Sequence, residues 1–252
     1  MFLRFVHLKV KEGRLKDLAR FYEERTMPAL QGVEGCLYAS LLQPTGDDVE
    51  CVSLTFWRNR EAAEAYESSG LYDQLLDEMD PMLAEAAEWK VKSSGETSPG
   101  IERLQDPDVE AYPAEVAAIR EVSDAVGPQR FFVRVVQARV QAGRFKDLKK
   151  RYDEEIKPAL MATKGCVAVF LVENTKSQSR ALSVTLWDSE EDAIRYELSG
   201  AFDQLTSRVS EFFSGLYQWK LSLSTTRDRR ALSGKDLNVR GFKVVTGKRL
   251  GS

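Results

Sequence analysis

Arginine, tyrosine, tryptophan and hydroxyl side chains recur at matched positions in two parts of this chain, and their types suit small-molecule chemistry. The candidates for work at a reacting centre are Arg4, Tyr66, Arg134 and Tyr196. The candidates for substrate contact are Tyr22, Ser53, Thr55, Trp57, Tyr72, Tyr152, Ser183, Thr185, Trp187 and Phe202. Aromatic rings with a few convergent polar groups favour a flat aromatic ligand whose oxygens receive hydrogen bonds.

A purely structural interpretation of the same residues stays open. The aromatic residues lie at helical spacing and can be core, and the hydroxyls can bond to neighbouring backbone. Trp57 and Trp187 close strands onto helices, which is a good packing position. Arg4 and Arg134 can equally be surface residues at a strand end.

Several familiar catalytic sets are missing from the sequence. The chain has one histidine, so there is neither a duplicated histidine acid/base pair nor a histidine-rich metal cluster. There is also no G-x-G-x-x-G fingerprint and no P-loop. We expect no metal and no flavin or nicotinamide cofactor.

An internal duplication supplies the elements that position these residues. WRNREAAEAYESSGLYDQL begins at Trp57 and WDSEEDAIRYELSGAFDQL at Trp187, an offset of 130 positions (187 − 57). GRLKDL and GRFKDL, and the two PAL and two GC segments, keep that offset. With 252 residues, 43% of them hydrophobic, the chain is long enough for two small domains, which we place at 1–122 and 123–252.

Each copy alternates between strand and helix periodicity. RFVHLKV and RVVQARV alternate with period two and are predicted strands, and a helix follows Gly13 in the first copy and Gly143 in the second. Two further strands come next, and then a second helix, which Asn59 caps in the first copy and Ser189 in the second. EWKVKS and QWKLSL follow as short strands. We expect Gly70 and Gly200 to bend that second helix. The order predicts an α+β fold: two ferredoxin-like βαββαβ domains packed sheet to sheet as an intrachain dimeric α/β barrel.

Alternation along the strands predicts which side chains share a face. Arg4 lies on the face of Leu8 and Val10, toward the helices, whereas His7 points the other way. Ser53, Thr55 and Trp57 share one face, as do Ser183, Thr185 and Trp187. A ligand site would therefore lie between sheet and helices in each copy.

The repeat continues beyond the Trp-Lys strands, because Asp106, Val109 and Tyr112 match Asp236, Val239 and Phe242 at the same offset. We predict a further strand near 109–116 and 239–246, on an arm that pairs with a sheet edge of the opposite half. Pro113 restricts the first of these to an edge or an interrupted strand. The alternative is a helix from Pro113 to Ala125 and a loose C-terminal tail.

These motifs resemble the antibiotic biosynthesis monooxygenase superfamily, a set of dimeric α/β-barrel proteins. The shared features are F/L-x-V-x-x-G before a helix, a strand ending in Trp, and S/N-x-E-x-A-x-x-Y-x-x-S-G before an aromatic-Asp pair. The resemblance implies a fused dimer with an oxidoreductase activity, a cofactor-independent monooxygenase acting on a small aromatic or quinol-like substrate with dioxygen. It also implies a pocket between sheet and helices.

Haem degradation and non-catalytic binding are the two other functions on which these residues bear. Haem-degrading members use Asn, Trp and His at positions that here hold Val6, Tyr66 and Leu76, so haem degradation is not expected. A non-catalytic small-molecule-binding or structural module on the same scaffold remains the alternative, because no residue is an obvious base.

Composition sets the remaining expectations. Residues 1–122 carry 13 Lys and Arg against 24 Asp and Glu, and residues 123–252 carry 23 against 15. Opposite charges favour docking of the halves on each other, and further oligomerisation stays open. We expect no nucleic-acid or membrane partner, a cytoplasmic location, and buried thiols at Cys36, Cys51 and Cys166.

Overall fold

The computed structural model describes residues 1–45, 50–84, 109–120, 131–173, 180–214 and 237–250. The first half contains β1 Phe2–Lys9, α1 Leu15–Phe21, a π-helical turn Tyr22–Thr26, α2 Met27–Gln31, β2 Cys36–Pro44, β3 Glu50–Trp57, α3 Arg60–Ser68, α4 Leu71–Met79 and β4 Val109–Ile119. The second half contains β5 Phe132–Arg139, α5 Phe145–Arg151, a π-helical turn Tyr152–Ile156, α6 Lys157–Ala162, β6 Cys166–Glu173, β7 Arg180–Trp187, α7 Glu190–Leu198, α8 Ala201–Val209 and β8 Leu237–Arg249. The matched order of elements confirms the duplicated ferredoxin-like α+β fold.

The eight strands form one closed antiparallel barrel in the order β1-β3-β2-β8-β5-β7-β6-β4. The two arms close it by pairing with both halves. β4 pairs with β1 through 109–113 and then with β6 through 114–119. β8 pairs with β5 and then with β2 of the first half. Because the barrel closes, neither half presents an open edge where these strands pair.

The predicted arm strands are confirmed and run longer than expected, but each pairs first with a strand of its own half and only then with the opposite half. β4 continues through Pro113 without interruption, and Pro113 is its last residue that pairs with β1 before the strand pairs with β6. The alternative helix beginning at Pro113 is wrong over the described residues up to Ile119. The predicted strands EWKVKS and QWKLSL lie outside the described residues, and β4 and β8 occupy the sheet edges beside β1 and β5.

The helix signals are confirmed. The Asn59 side chain accepts a hydrogen bond from the backbone N–H of Ala62, and Ser189 does the same for Asp192. Gly70 separates α3 from α4 with φ +76°, a left-handed conformation that glycine adopts without strain. Each first helix widens to a π-helical turn just before Pro28 or Pro158, where proline supplies no N–H.

Three apolar clusters form the core of the described part of the chain. One fills the barrel between the halves, where Phe56 and Phe170 lie with ring centroids 4.9 Å apart. The other two lie between the sheet and the helices of each half. Over the described residues, no helix has the length and apolar content to span a membrane.

Candidate functional site

The candidate residues lie between the sheet and the helices, as strand alternation predicts. Ser53 accepts or donates a hydrogen bond with the Tyr22 hydroxyl of the first helix, with 2.9 Å between the oxygens. Ser183 and Tyr152 repeat the contact at 2.6 Å. The predicted face of β3 and β7 is therefore confirmed.

A cavity of roughly 70 Å³ opens in the second half. The side chains that line it are Arg134, Val136, Ala138, Leu148, Tyr152, Ile156, Leu160, Leu171, Ala181, Ser183, Thr185, Tyr196, Phe202, Leu205, Thr206, Val209 and Phe213. One water needs roughly 10–15 Å³ in such a space, so the cavity has room for a single aromatic ring. Its wall is mainly apolar with a few polar groups, the usual composition of a small-molecule site.

Arg134 is the one cation among the described side chains that line this cavity. It is 3% exposed, and its Nε donates to Glu197 Oε1 at 2.5 Å. Its guanidinium carbon lies 4.2 Å from the centroid of the Phe202 ring. The Nη2 atom is buried and has no hydrogen-bond partner within the part of the chain that the structure describes. A buried charged donor without a partner is costly, so this atom is poised to bind an anionic oxygen.

The tyrosines of the site are protonated at neutral pH. Burial raises the pKa of Tyr196 and of Tyr152 well above the ordinary value for a phenol, and the charge of Arg134 offsets only part of the effect. Tyr196 therefore carries a hydroxyl that can donate a hydrogen bond into the cavity. Neither tyrosine can serve as a base at neutral pH.

The two tryptophans are held by bonds inside the protein. Trp187 Nε1 donates to Thr185 Oγ1 at 2.9 Å, and Trp57 repeats this with Thr55 at 2.8 Å. Trp187 is fully buried behind Tyr196, at 5.0 Å between ring centroids, and is not among the residues that line the cavity. In this arrangement Trp187 supports Tyr196 from behind and does not itself face the cavity.

The first half repeats the arrangement around Arg4. Arg4 is 3% exposed, its Nε donates to Glu67 Oε1 at 2.6 Å, and its guanidinium carbon lies 4.2 Å from the centroid of the Tyr72 ring. Tyr66 stacks on Trp57 at 5.1 Å. The surface interpretation of Arg4 and Arg134 is wrong, because both guanidinium groups are buried.

Glu67 and Glu197 are residues that the sequence argument missed. Each fixes the buried arginine of its own half from the end of the second helix. The repeat carried the signal, since the dipeptide Tyr-Glu stands at the same position in both copies. A carboxylate that follows a candidate tyrosine in both copies indicates a shared partner for a cation.

The cysteines provide a test of burial. Burial raises the pKa of Cys36 and Cys166 to about 12, and Cys51 is also fully buried. At pH 8 the thiolate fraction of the first two is on the order of one in ten thousand. We expect no thiol of the native protein to react with Ellman's reagent at pH 8 within an hour. The same sample in guanidinium chloride should release three equivalents; rapid reaction before unfolding would contradict the buried placement.

The fold and the paired sites define a class: a dimeric α/β barrel whose two subunits are fused in one chain. The family model for antibiotic biosynthesis monooxygenases matches residues 1–77 and 131–206. The chain therefore belongs to the antibiotic biosynthesis monooxygenase family, as a tandem duplication. Among curated proteins, none matches the sequence.

Solved structures share the whole architecture. A protein assigned as a monooxygenase from Fusobacterium nucleatum is 8% identical with a TM-score of 0.69, over 100% of this chain and 95% of that one. A second from Lactobacillus acidophilus is 10% identical with a TM-score of 0.68, over 99% and 96%. An anthrone oxidase-like protein is 10% identical with a TM-score of 0.55, over 100% and 94%. At these identities the likeness shows the fold.

Proposed function

We propose that this protein is a cofactor-independent monooxygenase that converts a ring carbon of a small quinol-like aromatic substrate to a carbonyl, in the cavity beside Arg134. The observation that carries the proposal is the buried Nη2 atom of Arg134, which has no hydrogen-bond partner among the described residues, on a residue that lines a mainly apolar cavity. Membership of a monooxygenase family supports the reaction class. The aromatic substrate follows from the size and lining of the cavity.

The proposed pose places the substrate ring against the apolar wall and one oxygen substituent of the ring against Arg134. Phe202 packs on the guanidinium and Glu197 holds its Nε, so the arginine is oriented before the ligand arrives. A fixed cation in a water-poor site stabilises an anion far better than a mobile one in solvent. The Tyr196 hydroxyl is available for a second oxygen.

The reaction needs only the substrate and dioxygen. A ring carbon that bears hydrogen and is conjugated with the anionic oxygen transfers electrons to dioxygen and forms a carbon–oxygen bond, and protonation gives a hydroperoxide. Loss of water, with hydrogen from that carbon and hydroxide from the peroxide, leaves a carbonyl. One oxygen atom enters the product and the other becomes water, and the substrate supplies all four electrons.

Proton removal is assigned to the solvent in this scheme. Among the described side chains that line the cavity there is no carboxylate and no imidazole, and both tyrosines keep their protons. The substrate therefore enters as its anion, which Arg134 selects. The rate should rise with pH around the ionisation of each substrate, and its midpoint should follow the substrate rather than the protein.

Oxygen uptake tests the proposal. The purified protein is given methylhydroquinone, 1,4-dihydroxynaphthalene and anthrone under 18O-labelled dioxygen, at pH 6 to 9. We expect product that carries one labelled oxygen, with the single-ring compound favoured because the cavity has room for about one ring. Release of hydrogen peroxide with unlabelled product would contradict monooxygenation. Absence of any turnover across the panel would favour a binding module.

Matched variants connect the activity to the site. Arg134→Met should lower kcat/KM by about a hundredfold, because the charge that stabilises the anion is lost. Tyr196→Phe should cost about tenfold, the value of one hydrogen bond. Arg195→Met is the control, since Arg195 is exposed and bonded only to Asp192 among its described contacts. Equal activity in Arg134→Met and the control would overturn the assignment.

A further inference from the structure

The two halves keep the same polar groups around the candidate site but differ in the side chains that fill it. Arginine, serine, threonine and two tyrosines of the cavity wall stand at the same repeat positions in both copies. Five positions that line the cavity carry smaller residues in the second half: Ala138 for Leu8, Ala181 for Cys51, Phe202 for Tyr72, Thr206 for Leu76, and Val209 for Met79. These five polar residues are therefore the same in both halves, whereas several of the side chains between them differ in size.

We infer that the fused pair has one ligand site, in the second half, and that the first half is closed by its own side chains. The ligand class is a single aromatic ring with an acidic oxygen directed at Arg134. The inference rests on the proposed function only for the location of the site, because it concerns binding and needs no turnover.

Four of the five larger first-half residues at these matched positions are buried in the core of their own half. Leu8 is 1% exposed, and Leu76 and Met79 are also buried in the same apolar cluster as Tyr22 and Trp57. The exchange of Leu8 for Ala138 removes most of a side chain from the strand floor. Interiors are packed closely, so a missing isobutyl group leaves a space unless a neighbour fills it.

Two exchanges run in the other direction, and they change the wall at other points. Ile156 is larger than Thr26, and Phe213 is larger than Leu83. Both line the cavity, which remains open beside them. Their effect is to make the wall more apolar, which suits an aromatic ring.

Residues in and beside the arm strands also differ between the two halves. Val245 of β8 and Leu250, just after the end of β8, pack against the first-half cluster and add apolar cover there. The repeat places Arg120 at the position of Leu250, and its Nη2 donates to the carbonyl of Met161 at 2.7 Å. The second half therefore has an exposed charged residue at the repeat position where the first half has an apolar residue packed on its core cluster.

Binding stoichiometry tests the inference with 4-nitrophenolate, a coloured single-ring anion. Isothermal titration of the full chain at pH 8.5 should give one equivalent bound per chain. Two equivalents of similar affinity would overturn the inference, and so would a failure to bind at millimolar concentration. Neither result depends on oxygen, so a failed activity assay alone leaves the binding result standing.

Reciprocal variants identify the half that binds. Ala138→Leu with Val209→Met gives the second half the residues of the first and should weaken binding at least tenfold. Leu8→Ala with Met79→Val makes the opposite exchange and should leave the original affinity within about twofold. Unchanged binding in the first variant, or lost binding in the second, would overturn the inference.

A ligand soak into crystals of the unmodified protein locates the site without any substitution, so a folding defect of a variant cannot affect the result. Soaking with 4-bromophenol at pH 8.5 should place one anomalous bromine peak per chain, among Ala138, Thr206 and Phe202. A peak of equal height beside Leu8 and Tyr72 would refute the single-site arrangement. Because this experiment uses the natural sequence, it decides the question even if a variant aggregates.

Discussion

The substitution Val244→Asp is expected to unfold the protein, whereas Lys243→Asp on the same strand is expected to change its stability little. Val244 of β8 is 6% exposed and belongs to the cluster that fills the barrel between the halves. Its backbone N–H donates to the carbonyl of Phe131, and its register partner is Leu42 of the first half. The side chain therefore lies where both halves meet.

The size of the effect follows from two losses. Removing a buried valine side chain costs roughly 1.5–3 kcal/mol of burial. A carboxylate at the same place has no described cation beside it in the barrel cluster and adds several kcal/mol. The sum is about 4 kcal/mol or more, against a total stability of about 5–15 kcal/mol for a typical domain.

Lys243 is the matched control. Its side chain is 62% exposed, and its Nζ lies 3.2 Å from Glu190 Oε2. Loss of an exposed ion pair costs about 1 kcal/mol or less. Urea unfolding followed by circular dichroism should show a large loss of stability for Val244→Asp and a small one for Lys243→Asp. Similar curves for the two variants would contradict the inward direction of Val244 and the place of β8 in the barrel.

Alkaline pH is expected to unfold the protein before pH 12. Burial raises the pKa of five tyrosines, which are Tyr22, Tyr38, Tyr66, Tyr152 and Tyr196. For Tyr38 the raised pKa is about 12. The folded state therefore holds these phenols in their neutral form above the pH at which an unfolded chain releases the protons.

The sign of the pH dependence follows from that difference. Below about pH 10 both states keep the phenol protons, and the full stability is present. Above it the unfolded chain binds fewer protons than the folded one, so the free energy of unfolding falls as pH rises. Each buried tyrosine contributes about 1.4 kcal/mol per pH unit. Cys36 and Cys166 act in the same direction from about pH 9, because their pKa is raised to about 12.

Urea titrations at pH 8, 9, 10 and 11 measure this slope. We expect stability to be nearly level from pH 8 to 9 and then to fall by several kcal/mol per pH unit. Tyr66→Phe keeps the stacked ring on Trp57 and removes one ionising group, so its slope should be smaller by about 1.4 kcal/mol per pH unit. A free energy of unfolding that stays constant to pH 11 would show that these hydroxyls are open to solvent.

Local patterns in the sequence were sufficient for the repeat, the elements and the faces of the strands. The offset of Trp57 and Trp187 determined that the chain has two equivalent halves. Alternation along β3 placed Ser53 on the side of Tyr22, because successive side chains of a strand point to opposite faces. The caps at Asn59 and Ser189 depend on residues within one turn, so they too could be predicted.

Tertiary structure alone decided where the arms pair and which side chains line the cavity of the second half. Pro113 marks the change of partner along β4, yet only the closed barrel shows that β6 is the second partner. The cavity depends on the combined volume of side chains from distant elements, such as Ala138 on β5 and Val209 on α8. The position of the Arg134 guanidinium, whose Nη2 has no partner among the described residues, depends on where Glu197 and Phe202 lie in space. Periodicity fixes the direction of a side chain, whereas packing and pairing are sums over neighbours that only the folded chain brings together.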